Sequence, residues 1–313
     1  MLTRNEKLLH CIDLASQIGV EIGPLDKPIV TREMGRVRYV DHDITEALRL
    51  KYADFDNVDT DKIVDVDYIW GEKSLVDLTQ AEAPFDYIVA SHVIEHVPDF
   101  IGWLREVRGI LKPGGILSLA IPDKRQCFDY HRHPSKPADV VEAYLRRHKK
   151  PSPRQIFDHF ASAVSFQGDI AWNGVVNTSE FVRFHSAVEA WDIAKTAFAK
   201  DNYCDVHCWV FTPASFFSLL SELTTMDLLK FEVAQFYETE GCEFLVSLRA
   251  IDEPKQTDLA DLSASLSVEA ETMLSELQFC KNRIEAMESS KFWKMRKAWF
   301  KVKQQLGSSS REA

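Results

Sequence analysis

Two apolar runs of strand length bracket a helical stretch in the middle of this chain. Asp86-Tyr-Ile-Val-Ala-Ser-His-Val-Ile-Glu-His-Val-Pro-Asp99 opens with one such run, and Ile110-Leu-Lys-Pro-Gly-Gly-Ile-Leu-Ser-Leu-Ala-Ile-Pro122 closes with the other. Between them residues 102–111 fit a helix, ended by Pro113-Gly114-Gly115. Proline cannot continue a helix, and glycine takes the positive φ that the following turn needs. A strand, a helix and a second strand in this spacing form a parallel unit, because parallel neighbours require a connection long enough to carry a helix.

The same alternation extends in both directions. Residues 5–17 have a helical pattern, and strand-like runs fall at 19–22, 37–40, 62–66, 87–91 and 116–121. Residues 123–205 break the rhythm with His131-Arg-His-Pro134, Pro151-Ser-Pro-Arg154 and Phe157-Asp-His-Phe160. They are too long for an ordinary loop and read as a helical insertion that carries specificity. Regular structure resumes with a helix at 214–224 and strands at 229–236 and 243–249.

In that order the pieces resemble the class I S-adenosylmethionine-dependent methyltransferases, in particular the type 11-like group. The residues that carry the resemblance are Val20-Glu-Ile-Gly-Pro-Leu-Asp26, Asp41, Glu95-His96-Val97 after the fourth strand, and Lys112-Pro-Gly-Gly115. It implies an α/β, Rossmann-like seven-stranded mixed sheet, mostly parallel with an antiparallel last pair. It also implies S-adenosylmethionine as cofactor and methyl transfer as activity. The expected methyltransferase domain covers residues 1–252, with the insertion acting as a lid over the ligand.

Such a cofactor needs close backbone approach at its methionine end, a carboxylate for its ribose diol, and an apolar slot for adenine. Glu21, Gly23 and Pro24 form the turn after the first strand, where a helix is expected to follow. Asp41 lies 20 residues beyond Glu21, the distance at which nucleotide-binding units place their ribose acid. Asp67, in preference to Asp65, is expected after the third strand at the adenine edge, and Ser91 and His92 line the pocket at the end of the fourth. The glycines that usually follow Gly23 are replaced by Pro24 and Leu25, so contacts beyond that point do not transfer. The strict dinucleotide fingerprint is missing, which counts against an NAD enzyme.

Methyl transfer to a hydroxyl also requires a base. His96, Asp123 and His131 are the catalytic candidates, and Lys124 and Arg125 are placed to hold an anionic acceptor. No metal is expected. Cys204-Asp-Val-His-Cys208 offers half of a zinc site, and the spacing of His131 and His133, with Asp158-His159, could bind a divalent metal, though isolated His-x-His pairs seldom do.

Composition narrows the function further. A net charge of −11 argues against nucleic-acid binding, and the six cysteines show no paired framework. With no signal core or membrane-length apolar run, a cytoplasmic protein with reduced thiols is expected. Beyond a linker at 253–258 comes a coiled-coil seam at 259–290, suited to self-association or to docking a glycosyltransferase. Residues 291–306 then form a basic amphipathic helix with aromatics on one face, and 307–313 a disordered tail. Such a helix suits the anionic inner face of the cell membrane, or equally a partner's surface. Lys291-Phe-Trp-Lys-Met-Arg296 resembles the ends of some bacterial sugar-transfer proteins in cell-surface polysaccharide pathways. On that analogy the acceptor is a sugar or glycan. The rival readings are a catalytically degenerate assembly module and a small-metabolite N- or C-methyltransferase.

Overall fold

The computed structural model describes residues 2–71, 73–253, 259–267, 281 and 284. Met1–Ser263 form one compact unit and Ala264–Ala313 another.

The first unit is built on a seven-stranded sheet. Its strands are β1 (Ile18–Ile22), β2 (Arg36–Asp41), β3 (Tyr68–Ile69), β4 (Phe85–Ser91), β5 (Leu111–Pro122), β8 (Phe231–Glu240) and β9 (Glu243–Ala250), in the order β3-β2-β1-β4-β5-β9-β8. β1, β2, β3, β4 and β5 run parallel, while β9 pairs antiparallel with both β5 and β8. Strand β4 is apolar because both of its faces are covered, and Tyr87, Ile88 and Val89 are completely buried. Gly19 of β1 is forced by its neighbour: a Cβ there would lie 2.3 Å from the Tyr87 ring.

The helices around this sheet are α1 (Arg4–Leu8), α2 (Thr45–Lys51), α3 (Leu75–Thr79), α4 (Phe100–Ile110) and α8 (Pro213–Thr225). Helix α4 starts where Asp99 accepts from the Gly102 N–H at 2.8 Å, and it buries Phe100, Ile101, Leu104 and Val107. It stops where Leu111 turns extended and enters β5, with Gly114 at φ +79° in the Lys-Pro-Gly-Gly turn. The insertion holds α5 (Pro137–Arg146), α6 (Pro153–Ser162), α7 (Ala187–Lys200) and the antiparallel pair β6 (Val164–Phe166) and β7 (Phe181–Arg183). It is therefore a mixed element and not purely helical.

Three expectations are corrected. The third strand is Tyr68–Ile69 and not 62–66. Ile63, Val64 and Val66 instead bind α2 and the loop after β1: the Val64 N–H donates to Leu25 O, and Thr45 Oγ1 bridges Val64 O and the Val66 N–H. The N-terminal helix is short, giving way to turns before β1. No helix joins β1 to β2, because Pro24, Pro28 and the left-handed Leu25 (φ +46°) fill the connection with turns. Of the expected coiled coil at 259–290, residues 259–267, 281 and 284 are helical and the rest lie outside the described residues, as does all of 291–306. Among the described residues no helix is long and apolar enough to cross a membrane.

Candidate active site

The chain runs outward from β1 to β2 and β3, then returns to the other side of β1 for β4. Between β1 and β4 the direction of winding reverses, and in open sheets of this kind the crevice at the carboxyl ends of those strands receives the ligand. Pairing of Ile22 with both Val40 and Ala90 sets Gly23 at that edge, flanked by Asp41 and Ser91.

Gly23 is exposed there at φ +70°, and a Cβ would come within 3.0 Å of Val93 Cγ2. Pro24 is buried. The Glu21 carboxylate accepts the Ile29 and Val30 N–H groups at 2.7 and 2.9 Å, so it folds the loop back in place of the missing helix. Burial pushes its carboxyl up to about 7 despite these two bonds. Asp41 is buried at the end of β2. Its Oδ1 receives the His42 N–H and Nδ1, both at 2.7 Å, and Oδ2 has no partner among the described residues. A glycine open at the edge beside a carboxylate with a spare oxygen suits the two ends of a nucleoside-bearing donor.

Asp67 does not join them. It precedes β3, and its Oδ2 is occupied by the Tyr39 N–H at 2.8 Å and by Arg32 at 3.0 Å. The residue that follows β3 is Trp70, whose N–H donates to Asp41 O at 2.7 Å.

Ser91 and His92 sit at the end of β4 as expected, already tied into a network. Arg4 of α1 donates to Ser91 Oγ (2.7 Å) and grips Glu243, the first residue of β9. His92 takes a left-handed backbone (φ +54°) and sets Nε2 2.7 Å from the same carboxylate. Burial works against a charged His92, but Glu243 and Glu95 outweigh it and raise its titration.

Beyond His92 the loop turns back and meets the chain leaving the insertion. Cys208 and Trp209 donate their N–H groups to Glu95 O, at 2.6 and 3.1 Å. This brace brings His96 and His207 into edge-to-face contact, with ring centroids 4.7 Å apart at 84°. His96 Nδ1 is bonded to Asp205 (2.8 Å) and His207 Nδ1 to Asp129 (2.5 Å). Burial opposes the charge on His96, but Asp205, Glu95 and Asp129 outweigh it and lift its pKa. Asp129 is fully buried and also takes Arg132 at 2.8 Å; His207 and Arg132 together hold its carboxyl far below the usual range against the cost of burial. His159 beside them is driven down to about 3, by burial first and then by Arg132 and His207.

The other catalytic candidates lie apart from this pair. Asp123 is completely buried, both its oxygens held by Arg125 and Oδ2 also by Thr239, so it is a structural anchor. Arg125 is bonded to Asp123, and Lys124 donates to Tyr130 O at 2.6 Å. His131 is exposed and packs on Tyr130 and Phe181. The cysteines of Cys204–Cys208 join no metal-ligating group among the described residues, and the Cys208 thiol faces His96 O. Arg4, Glu243 and Asp129 were missed in the sequence, where no local spacing links them to the strand ends; Asp205 and His207 drew notice there only within Cys204-Asp-Val-His-Cys208.

Residues 14–222, two thirds of the chain, match the family model described as a methyltransferase domain. The chain belongs to the methyltransferase domain family. The comparison with curated proteins found no match. Among solved structures, the methyltransferase domain is similar to the CcbJ methyltransferase from Streptomyces caelestis (10% identity, 80% of this chain and 97% of that one, TM-score 0.39). It is also similar to DhpI in its SAH complex (14% identity, 75% and 76%, TM-score 0.35). A third is the CurJ carbon methyltransferase (14% identity, 78% and 51%, TM-score 0.34), of whose length the chain spans about half. The cofactor of a methyltransferase domain with this sheet is S-adenosylmethionine, and Gly23 and Asp41 fit it.

Proposed function

We propose that this methyltransferase domain moves a methyl group from S-adenosylmethionine to a hydroxyl of a sugar or glycan, in the biosynthesis of a surface polysaccharide. When bound, the cofactor supplies an electrophilic methyl group on a sulfonium, open to direct displacement. Gly23 admits its methionine end to the backbone, and Asp41 offers Oδ2 to its ribose.

The observation that carries the acceptor side is a cavity of about 540 Å³ between α5, α6 and the 208–210 segment. Arg132, His133, Lys136, Asp139, Arg154 and Asp158 line it. Charged and hydrogen-bonding groups of both signs suit a polyhydroxylated ligand better than an aromatic metabolite. Two of its lining residues are bonded toward the imidazole pair: Arg132 to Asp129, which holds His207, and the Cys208 thiol to His96 O. An acceptor seated there has its reacting hydroxyl beside His96 and His207, where it gives up its proton as the carbon–oxygen bond forms.

The tail supports the substrate class by its sequence alone. A coiled-coil seam for self-association or a glycosyltransferase partner, followed by the basic 291–306 segment, suits an enzyme held at the cytoplasmic face of the membrane on a lipid-linked acceptor. The test is calorimetric titration with S-adenosylmethionine, followed by mass spectrometry of sugar-nucleotide and lipid-linked glycan acceptors for the gain of one CH₂. Failure to bind the donor sinks the methyltransferase reading. Donor binding with transfer only to nitrogen or carbon of small metabolites sinks the acceptor class.

A further inference from the structure

We propose that Glu95, His96 and His207 form a binding site for a divalent transition-metal cation, zinc by its donor set, that seats the acceptor hydroxyl. The role in catalysis rests on the methyl-transfer reading; the binding of the ion does not.

Three observations converge. Glu95 is 1% exposed, and both of its carboxylate oxygens are buried without a hydrogen-bond partner, which holds for no other carboxylate among the described residues. Its ion-pair contact among the described residues is His92 Nδ1, 3.5 Å from Oε1 without a hydrogen bond, and His92 is already engaged by Glu243. A buried carboxylate with two idle oxygens is costly unless a cation faces it.

The second observation is what faces it. Glu95, His96 and His207 each offer a ligand atom, and these three atoms lie within 4.8 Å of one another. Zinc bonds of about 2.0–2.1 Å set tetrahedral ligands roughly 3.4 Å apart, so small shifts that keep the Nδ1 bonds bring the three atoms onto one ion.

The third is the arrangement behind the ligands. Each imidazole gives Nδ1 to a carboxylate, His96 to Asp205 at 2.8 Å and His207 to Asp129 at 2.5 Å. Such bonds fix the ring tautomer, leave the Nε2 lone pair forward, and are the usual outer support of metal-bound histidines. Asp129 is fastened in turn by Arg132, and the Cys208 and Trp209 N–H groups bind Glu95 O, so the ligands sit on a braced frame. Two imidazoles and one carboxylate make a catalytic zinc set with a fourth position open.

In this scheme the acceptor hydroxyl takes the fourth position; two residues lining the acceptor cavity, Arg132 and Cys208, bond to Asp129 behind His207 and to His96 O. A hydroxyl bound to the cation loses its proton to solvent more readily than a free one. Its oxygen then uses a lone pair to form the O–CH₃ bond while the S–CH₃ bond breaks, and the sulfur keeps that bonding pair as a neutral thioether. The cation thus does the work that a free imidazole base would otherwise do.

The full-length protein is stripped with a chelator, dialysed and titrated with zinc chloride alone, with cobalt(II) as a spectroscopic stand-in. One equivalent is expected to bind, with cobalt giving the visible absorption of a four-coordinate site. His207→Ala and Glu95→Gln should abolish stoichiometric binding. Asp205→Asn, a change at an exposed side chain that spares the fold, should weaken it 10–100-fold. S-adenosylmethionine affinity should stay unchanged in all three variants. Absence of binding in the parent protein, or equal binding in His207→Ala, overturns the site and leaves methyl transfer standing. Zinc binding without donor binding upholds the site while the methyltransferase reading falls. Transfer that runs at the same rate in stripped and zinc-loaded protein overturns the catalytic role.

Discussion

Arg4 on the first helix grips the Glu243 carboxylate through two nitrogens, at 2.5 and 2.9 Å, across 239 residues of chain. The same guanidinium reaches Ser91 at the end of β4. The N-terminal segment is thereby fastened to the carboxyl edge of the sheet beside the donor crevice. The pair is only partly shielded, Arg4 being 40% exposed, so its contribution is modest.

Arg4→Lys should lower stability by about 1 kcal/mol, because an ammonium cannot reproduce the two-pronged contact with a carboxylate. For a domain of this size that corresponds to a fall in Tm of roughly 2–4 °C, measured by differential scanning calorimetry. A Tm equal to that of the parent would show that the clasp carries no net stability.

Two glutamates at this edge should impose opposite pH dependences. Burial works against a charged Glu243, but the Arg4 and His92 hydrogen bonds outweigh it and hold its carboxyl at about 2, against an ordinary 4.5. Its contribution is complete above pH 4.5 and is lost as pH falls from there through 2. Glu21 is pushed up to about 7 by burial, so the folded state favours its neutral form. Folding then weakens as pH rises from 4.5 to 7 and levels off above. Each shift corresponds to about 3 kcal/mol. Urea midpoints across pH 2–8 should show a shallower acid limb in Glu243→Gln and no decline between pH 4.5 and 7 in Glu21→Gln. An unchanged profile in either variant would mean that the residue titrates at its ordinary pKa.

Much of this architecture is legible in the sequence because buried parallel strands are apolar on both faces and their turns need particular residues. The runs that became β1, β2, β4 and β5 and the Lys112-Pro-Gly-Gly115 turn are of this kind. Residues 62–66 misled because their backbone bonds to Thr45 of α2 and to the Leu25 loop and, among the described residues, to no sheet neighbour, and an apolar run of that length reads the same in either place. With that strand displaced, Asp67 fell on its wrong end. His96 was visible from its place after β4, whereas His207 and Asp129, 78 residues apart, meet only because the insertion folds back on itself. No periodicity encodes that return.

Donor binding should separate two residues that the fold treats differently. Asp41→Asn keeps the shape of a side chain whose Oδ2 has no partner, so stability should change little. Affinity for S-adenosylmethionine should fall about 10–100-fold, the worth of one charged hydrogen bond. Gly23→Ala forces an L side chain into φ +70° and against Val93, which costs about 1–2 kcal/mol of stability as well as affinity. Calorimetric titration beside thermal melting distinguishes the two. Full affinity in both variants would place the donor elsewhere.

The deepest ion pair in the insertion is Asp129 with Arg132, each with its side chain 2% exposed. Asp129→Ala strands Arg132 with only Asp158, whose side chain is 46% exposed, and deprives His207 of its Nδ1 partner. Breaking one side of such a pair should cost about 3–5 kcal/mol, most of it from the charge left behind. Removing both charges with Asp129→Leu and Arg132→Met should therefore cost less than Asp129→Ala alone, since no buried ion remains unpaired. Equilibrium urea unfolding of the single and double variants gives the coupling directly. A double variant as unstable as the sum of its singles would mean that Asp129 and Arg132 act independently, and that His207 is held by packing against Phe128 and His96 without the ion pair.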